Sequence, residues 1–122
     1  MDHSKEYLAL VDDAKSRITE CTIDDVVARQ QRGDKFRLID CREDDEWRAG
    51  HARGAEHMGR GVIERDIVSK IPDKNEELII YCGGGFRSAM AADNLQRMGY
   101  GRVFSLAGGW REWTKRGQPI ER

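Results

Sequence analysis

Leu78-Ile79-Ile80-Tyr81 is a continuous apolar run with no polar alternation. A short strand that is apolar at every position has no face to give to water, so it belongs in a parallel sheet covered on both sides. Cys82 ends the run, Gly83, Gly84 and Gly85 follow at once, and Ala89, Ala92, Leu95 and Met98 then recur at helical spacing. Gly99 terminates that helix. Strand, glycine turn and helix follow one another with no linker between them.

The rest of the chain repeats this alternation. Tyr7, Val11, Ala14 and Ile18 mark the apolar stripe of a helix from about Lys5 to Arg17. Thr22, with Asp24 and Asp25 behind it, caps a second helix that Gly33 closes. Phe36 to Cys41 reads as a strand ending in an acid, Glu43 to Arg48 as one or two helical turns before Gly50, and Ala55 to Met58 as a short strand. Val62 to Lys70 forms a helix stopped by Pro72. Val103 to Leu106 forms another strand, and Gly108-Gly109 turns into a short helix at Trp110 to Trp113. The expectation is an α/β fold: an open parallel sheet of about five strands with helices on both faces. With 122 residues the chain fits one such domain, over residues 22–122, with residues 1–21 as an N-terminal helical extension.

Charge and cysteine usage narrow the function. A net charge of −1 makes nucleic acid a poor partner, and a chain with 35% charged residues has no stretch that reads as a membrane span. The N-terminal segment has no basic region followed by an apolar one, so the reading is a cytosolic protein. Cys21, Cys41 and Cys82 are odd in number and widely spaced, which suits neither a disulfide framework nor a paired zinc site. His3, His51 and His57 are scattered, and neither a metal nor a cofactor is expected.

In an open α/β sheet, ligands bind beyond the carboxyl ends of the strands, where Cys82 stands. Glycines let consecutive N–H groups turn inward, and the following helix adds its unpaired N–H groups and the positive end of its dipole. Such a loop holds an anion and favours thiolate over thiol, which makes Cys82 the candidate nucleophile. Gly83, Gly84, Gly85, Phe86, Arg87 and Ser88 are the candidate substrate-binding residues, the first four acting mainly through backbone N–H. A phosphate loop is the competing reading, but the Gly-Lys-Ser/Thr ending is missing.

Three separated motifs carry a resemblance. The first is Ile39-Asp40-Cys41-Arg42, with Glu46-Trp47 and Gly50-His51-Ala52-Arg53-Gly54-Ala55; the second is Tyr81-Cys82 with its six-residue loop to Arg87, then Ser88-Ala89; the third is Leu106-Ala107-Gly108-Gly109-Trp110, with Trp113, Gly117 and Pro119-Ile120. From about Thr22 to Ile120 the chain resembles the single-domain rhodaneses. The resemblance implies a cysteine that takes a sulfane sulfur from a donor such as thiosulfate, holds it as a persulfide and passes it to cyanide or another thiophile, protein thiols among them. It also implies that Asp40 and Arg42 support the active loop by hydrogen bonds. The loop departs from many thiosulfate-using relatives in having no basic residue inside it. Related cell-cycle phosphatases carry the longer loop C-x5-R, whereas Cys82 to Arg87 is C-x4-R.

Other assignments follow. Arg87 either points into the loop to neutralise an anion, the favoured reading, or turns outward as a brace to Asp40 or Glu46. Arg60 is a candidate to face the pocket. His51 is structural, Cys41 a small buried hydrophobe, Cys21 partly exposed, and Trp47, Trp110 and Trp113 are packing residues. The alternative to sulfur transfer is a non-catalytic interaction module of the same fold, against which the presence of Cys82 argues.

Overall fold

The computed structural model describes residues 3–122. In chain order its elements are α1 (Lys5–Lys15), β1 (Thr19–Cys21), α2 (Ile23–Arg32), β2 (Arg37–Asp40), α3 (Asp44–Ala49), β3 (His51–Ala52), β4 (Glu56–His57), α4 (Ile63–Lys70), β5 (Leu78–Tyr81), α5 (Phe86–Arg97), β6 (Val103–Leu106), α6 (Gly109–Lys115) and β7 (Ile120–Glu121). The apolar run, β5, is buried at every position. It sits in the middle of a five-stranded sheet of order β1-β6-β5-β2-β4, with every pairing parallel.

Strand alternation splits the core in two. On one face Ile39, Leu78 and Ile80 pack with Ile63 and Ile67 of α4 and Ala91, Ala92 and Leu95 of α5. On the other, Leu38, Ile79 and Tyr81 meet Ile23 and Val26 of α2 and Trp113 of α6. Each fully buried Ile or Leu contributes about 1.5–3 kcal/mol, so both faces of β5 drive the layering. Helices therefore cover both faces, as the sequence predicts.

Local signals fix the helix ends. Thr22 and Asp25 form a reciprocal capping box at the start of α2, with bonds of 3.1 and 2.9 Å, and Gly33 ends the helix in the left-handed region. α1 lies against α5, where Arg17 clamps Asp93 through bonds of 3.0 and 2.8 Å.

Two features go beyond the sequence reading. Thr19–Cys21, inside the segment expected as a helical extension, pairs with β6 as an edge strand. The second is a ribbon in which His51–Ala52 pairs antiparallel with Ile120–Glu121. Among the described residues no helix is long and apolar enough to cross a membrane.

Candidate active site

Cys82 follows the last residue of β5, and α5 opens four residues later at Phe86. Its Sγ accepts the Gly85 N–H at 3.2 Å and the Ser88 N–H at 3.4 Å, and Ser88 Oγ lies 3.6 Å away. Of the N–H groups from Gly83 to Ser88, only these two reach the sulfur, so the cradle is narrower than the full ring expected. Gly85 makes the turn with φ +102°, a conformation that suits glycine. Ser88 is buried, and its hydroxyl meets the Ser105 hydroxyl at 2.8 Å, which ties the cradle to β6.

A second sulfur sits against the first. Cys41 shares the buried cluster of Cys82 and is the largest influence pulling the Cys82 thiol down, to about 4; burial opposes it, and the Ser88 and Gly85 donors add to it. The same contact, with burial, pushes Cys41 well above the ordinary thiol range. These influences together favour the Cys82 thiolate over the thiol. Cys41 is buried as the sequence predicts, but it is more than a hydrophobe.

The loop is stitched to α6. The Trp110 N–H donates to the Cys82 carbonyl at 2.7 Å and the Arg111 N–H to the Gly83 carbonyl at 3.0 Å. Gly109 makes this approach possible: a Cβ there would lie 2.3 Å from the Cys82 carbonyl oxygen, in a left-handed backbone of φ +48°.

Over the loop opens a pocket of about 800 Å³, lined by His3, Tyr7, Glu46, Cys82, Gly83, Gly84, Phe86, Arg87 and Arg111. Arg87 combines both sequence readings: its guanidinium is bound by Glu46 at 2.8 and 3.3 Å, yet it lines the pocket and its Nη2 lies 3.1 Å from where a Gly83 Cβ would stand. Arg111, absent from the sequence reading, lines the same pocket and has no acidic partner among the described residues. Its guanidinium lies 3.3 Å from where a Gly84 Cβ would stand, directly over the loop. The signal for it was available only through α6: the residue after Trp110 must lie beside the loop that Trp110 binds. Arg60 does not face this pocket; its guanidinium pairs with Glu64 at 2.7 Å beside α1 and α5.

Asp40 and Arg42 are both buried, and Arg42 holds Asp40 through Nε and Nη2 and the Gly50 carbonyl at 2.6 Å. Neither bonds the loop directly, which corrects the expected role. Their support is relayed, because the Arg42 guanidinium packs 4.4 Å from the Trp110 ring and Trp110 holds the Cys82 carbonyl. His51 stacks on Trp47 at 3.5 Å and bonds its carbonyl, a structural role. The Phe86 side chain packs edge-on to Tyr7 and His3, so α1 forms one wall of the site.

Comparisons with known proteins agree with this geometry. The sequence model of the rhodanese-like domain family matches residues 22–116. YrkF of Bacillus subtilis, a candidate sulfur carrier protein, is 28% identical over 99 residues, 81% of this chain and 52% of that protein. The thiosulfate sulfurtransferase PspE of Escherichia coli is 32% identical over 70 residues, 57% of this chain and 67% of that one. A structure from Rhodopseudomonas palustris, described as a protein of unknown function and possible tyrosine phosphatase, superposes with a TM-score of 0.85 at 31% identity over 99% of this chain and 98% of that one. The chain thus spans about half the length of YrkF.

Proposed function

The chain belongs to the rhodanese-like domain family, whose members include sulfurtransferases, and on that premise we propose that it moves sulfane sulfur through Cys82. The Cys82 thiolate attacks the outer sulfur of a donor such as thiosulfate or a persulfide. The donor's S–S bond breaks, sulfite or a thiolate leaves with the bonding pair, and the sulfur stays as a Cys82 persulfide. A thiophile, cyanide or a thiol, then attacks the outer sulfur and returns Cys82 to the thiolate.

The observation that carries the reading is the pair of N–H donors from Gly85 and Ser88 on a thiolate at the floor of an open pocket. Preorganised donors stabilise a sulfur anion without supplying a proton that would quench it. Intact mass after incubation with thiosulfate or polysulfide tests it: one sulfur should be added, be lost to cyanide as thiocyanate, and not appear on Cys82→Ser. Sulfur uptake by the serine variant would place the chemistry elsewhere.

The description of the R. palustris relative as a possible tyrosine phosphatase favours a second reading, phosphate ester hydrolysis. The six-residue loop argues against it, since Arg87, the residue that would clamp a phosphate, is bound to Glu46.

A further inference from the structure

β2 and β5 are parallel neighbours with Ile39 opposite Ile80 and Asp40 opposite Tyr81. One step further the Cys41 N–H donates to the Tyr81 carbonyl at 2.9 Å, which continues the ladder and sets Cys41 opposite Cys82. Alternation returns both side chains to the face of Ile39 and Ile80, and all four share one core cluster. Adjacent strands lie about 4.8 Å apart, within the roughly 4.4–6.8 Å between Cα atoms that a disulfide spans. Cys41 is fully buried and does not line the pocket, whereas Cys82 does. Cys41 therefore neighbours Cys82 on the buried side and not in the pocket.

Resting on the sulfur-transfer reading, we propose that Cys41 is a resolving thiol that discharges the Cys82 persulfide as hydrosulfide, a second activity of the same site. Cys41 Sγ attacks Cys82 Sγ. The Cys41–Cys82 bond forms, the bond from Cys82 to the sulfane sulfur breaks, and that sulfur leaves into the pocket with the bonding pair. The Cys41 proton ends on it, giving hydrosulfide. No oxidant is consumed, because the sulfane sulfur is reduced as the two cysteines are oxidised. Two equivalents of a small thiol, or one protein dithiol, restore both cysteines: the first thiolate attacks Cys82 Sγ and frees Cys41, and the second attacks the resulting mixed disulfide, frees Cys82 and leaves as the oxidised disulfide.

Loading itself arms the step. Before loading, burial and the neighbouring Cys82 sulfur keep the proton on Cys41. After loading, the negative charge sits on the outer sulfur, and the grip on that proton relaxes. Thiol–disulfide exchange needs the leaving sulfur opposite the nucleophile, which calls for Cys41 to approach from the buried side while the sulfane sulfur lies toward the pocket that Cys82 lines.

The test is a single discharge. Reduced protein is loaded with sodium polysulfide, desalted, and followed without added thiol by intact mass, hydrosulfide assay and peptide mapping. The added sulfur should disappear with release of equimolar hydrosulfide and appearance of a Cys41–Cys82 disulfide, which dithiothreitol reverses. In Cys41→Ser and Cys41→Ala the persulfide should persist at least about tenfold longer and yield its sulfur only to cyanide. Cys21→Ser, on an edge strand across the sheet, should behave as the natural protein. A chain that loads but keeps its sulfur as long as the Cys41 variants overturns the resolving role alone. A chain that never loads overturns sulfur transfer and the resolving role together. Should the Cys41 variants misfold, the natural protein still decides: hydrosulfide without that disulfide, or a disulfide to Cys21, refutes the proposal.

Discussion

Arg87 and Glu46, 41 positions apart, face each other across the pocket, Nη1 2.8 Å from Oε1 and Nη2 3.3 Å from Oε2. The pair braces α3 against the start of α5 and partly neutralises the Arg87 charge beside the loop. The Arg87 hydrogen bond holds the Glu46 carboxyl below its ordinary range. A depressed carboxyl stabilises the fold above its unfolded pKa and loses that contribution as pH falls through its folded pKa; with both side chains partly exposed the effect is small. Glu46→Gln should free Arg87 for the donor. KM for thiosulfate should fall about threefold to tenfold, an advantage that high salt removes. An unchanged or raised KM would show that Arg87 serves only as a brace.

Arg111 is the complementary case, a cation above the loop without an acidic partner among the described residues. Arg111→Ala should raise KM for thiosulfate about threefold to tenfold while kcat changes little, since the charge attracts the donor and does not touch Sγ. Measuring both constants at low and high salt checks this. Equal effects on a neutral donor would assign Arg111 to loop packing.

The thiolate should be legible as a pH profile. With the Cys82 thiol pulled down to about 4, alkylation of Cys82 should stay near its plateau from neutral pH to about pH 5 and fall below that, unlike a free thiol near 8.5. Because Cys41 is the largest cause, Cys41→Ala should move the midpoint upward by about one to two pH units. His51→Ala should not move it. A midpoint indifferent to Cys41 would leave the Gly85 and Ser88 donors as sufficient cause.

Gly109 should tolerate no side chain. A Cβ 2.3 Å from the Cys82 carbonyl must push the loop off α6 and break the Trp110 and Arg111 backbone bonds. Gly109→Ala should cost about 2–4 kcal/mol of stability and most of the sulfur uptake. Gly61→Ala, which meets nothing within 4 Å, should be near neutral. Equal melting temperatures for the two variants would contradict the contact.

The layering was legible because Leu78–Tyr81 is apolar without a break, and Cys82 because a glycine run follows it. Thr19–Cys21 was not, since a three-residue edge strand, exposed at Thr19 and Glu20, carries no apolar pattern. Partners across the sheet were also hidden. Cys41 could be paired with Cys82 only once β2 was known to lie beside β5, and Arg111 only once α6 was known to hold the loop. Arg87 had the loop anion, Asp40 and Glu46 as available partners in sequence, and the structure pairs it with Glu46 at the pocket wall. Asp40 and Arg42 do not make the loop hydrogen bonds the sequence reading expected, and their contact through the Trp110 ring depends on packing that no spacing rule encodes.

Phosphate ester hydrolysis asks for parts that this pocket does not assemble. A phosphoryl group held in line with the sulfur needs an arginine free to clamp its oxygens; here the loop is C-x4-R and Arg87 is already paired with Glu46. The leaving alkoxide or phenoxide also needs an acid to protonate it. The carboxyl that lines the pocket, Glu46, is held ionised by Arg87, so it has no proton to give at neutral pH. Sulfur transfer needs none of this, because sulfite and thiolates leave without protonation. The natural protein should therefore show no aryl phosphate hydrolysis above that of Cys82→Ser between pH 5 and pH 8, while taking up sulfane sulfur across the same range. Glu46→Gln, which frees Arg87 but supplies no acid, should not gain it either. Turnover of aryl phosphate that depends on Cys82 would overturn the argument from loop size and proton supply, and would favour the phosphatase description attached to the R. palustris relative.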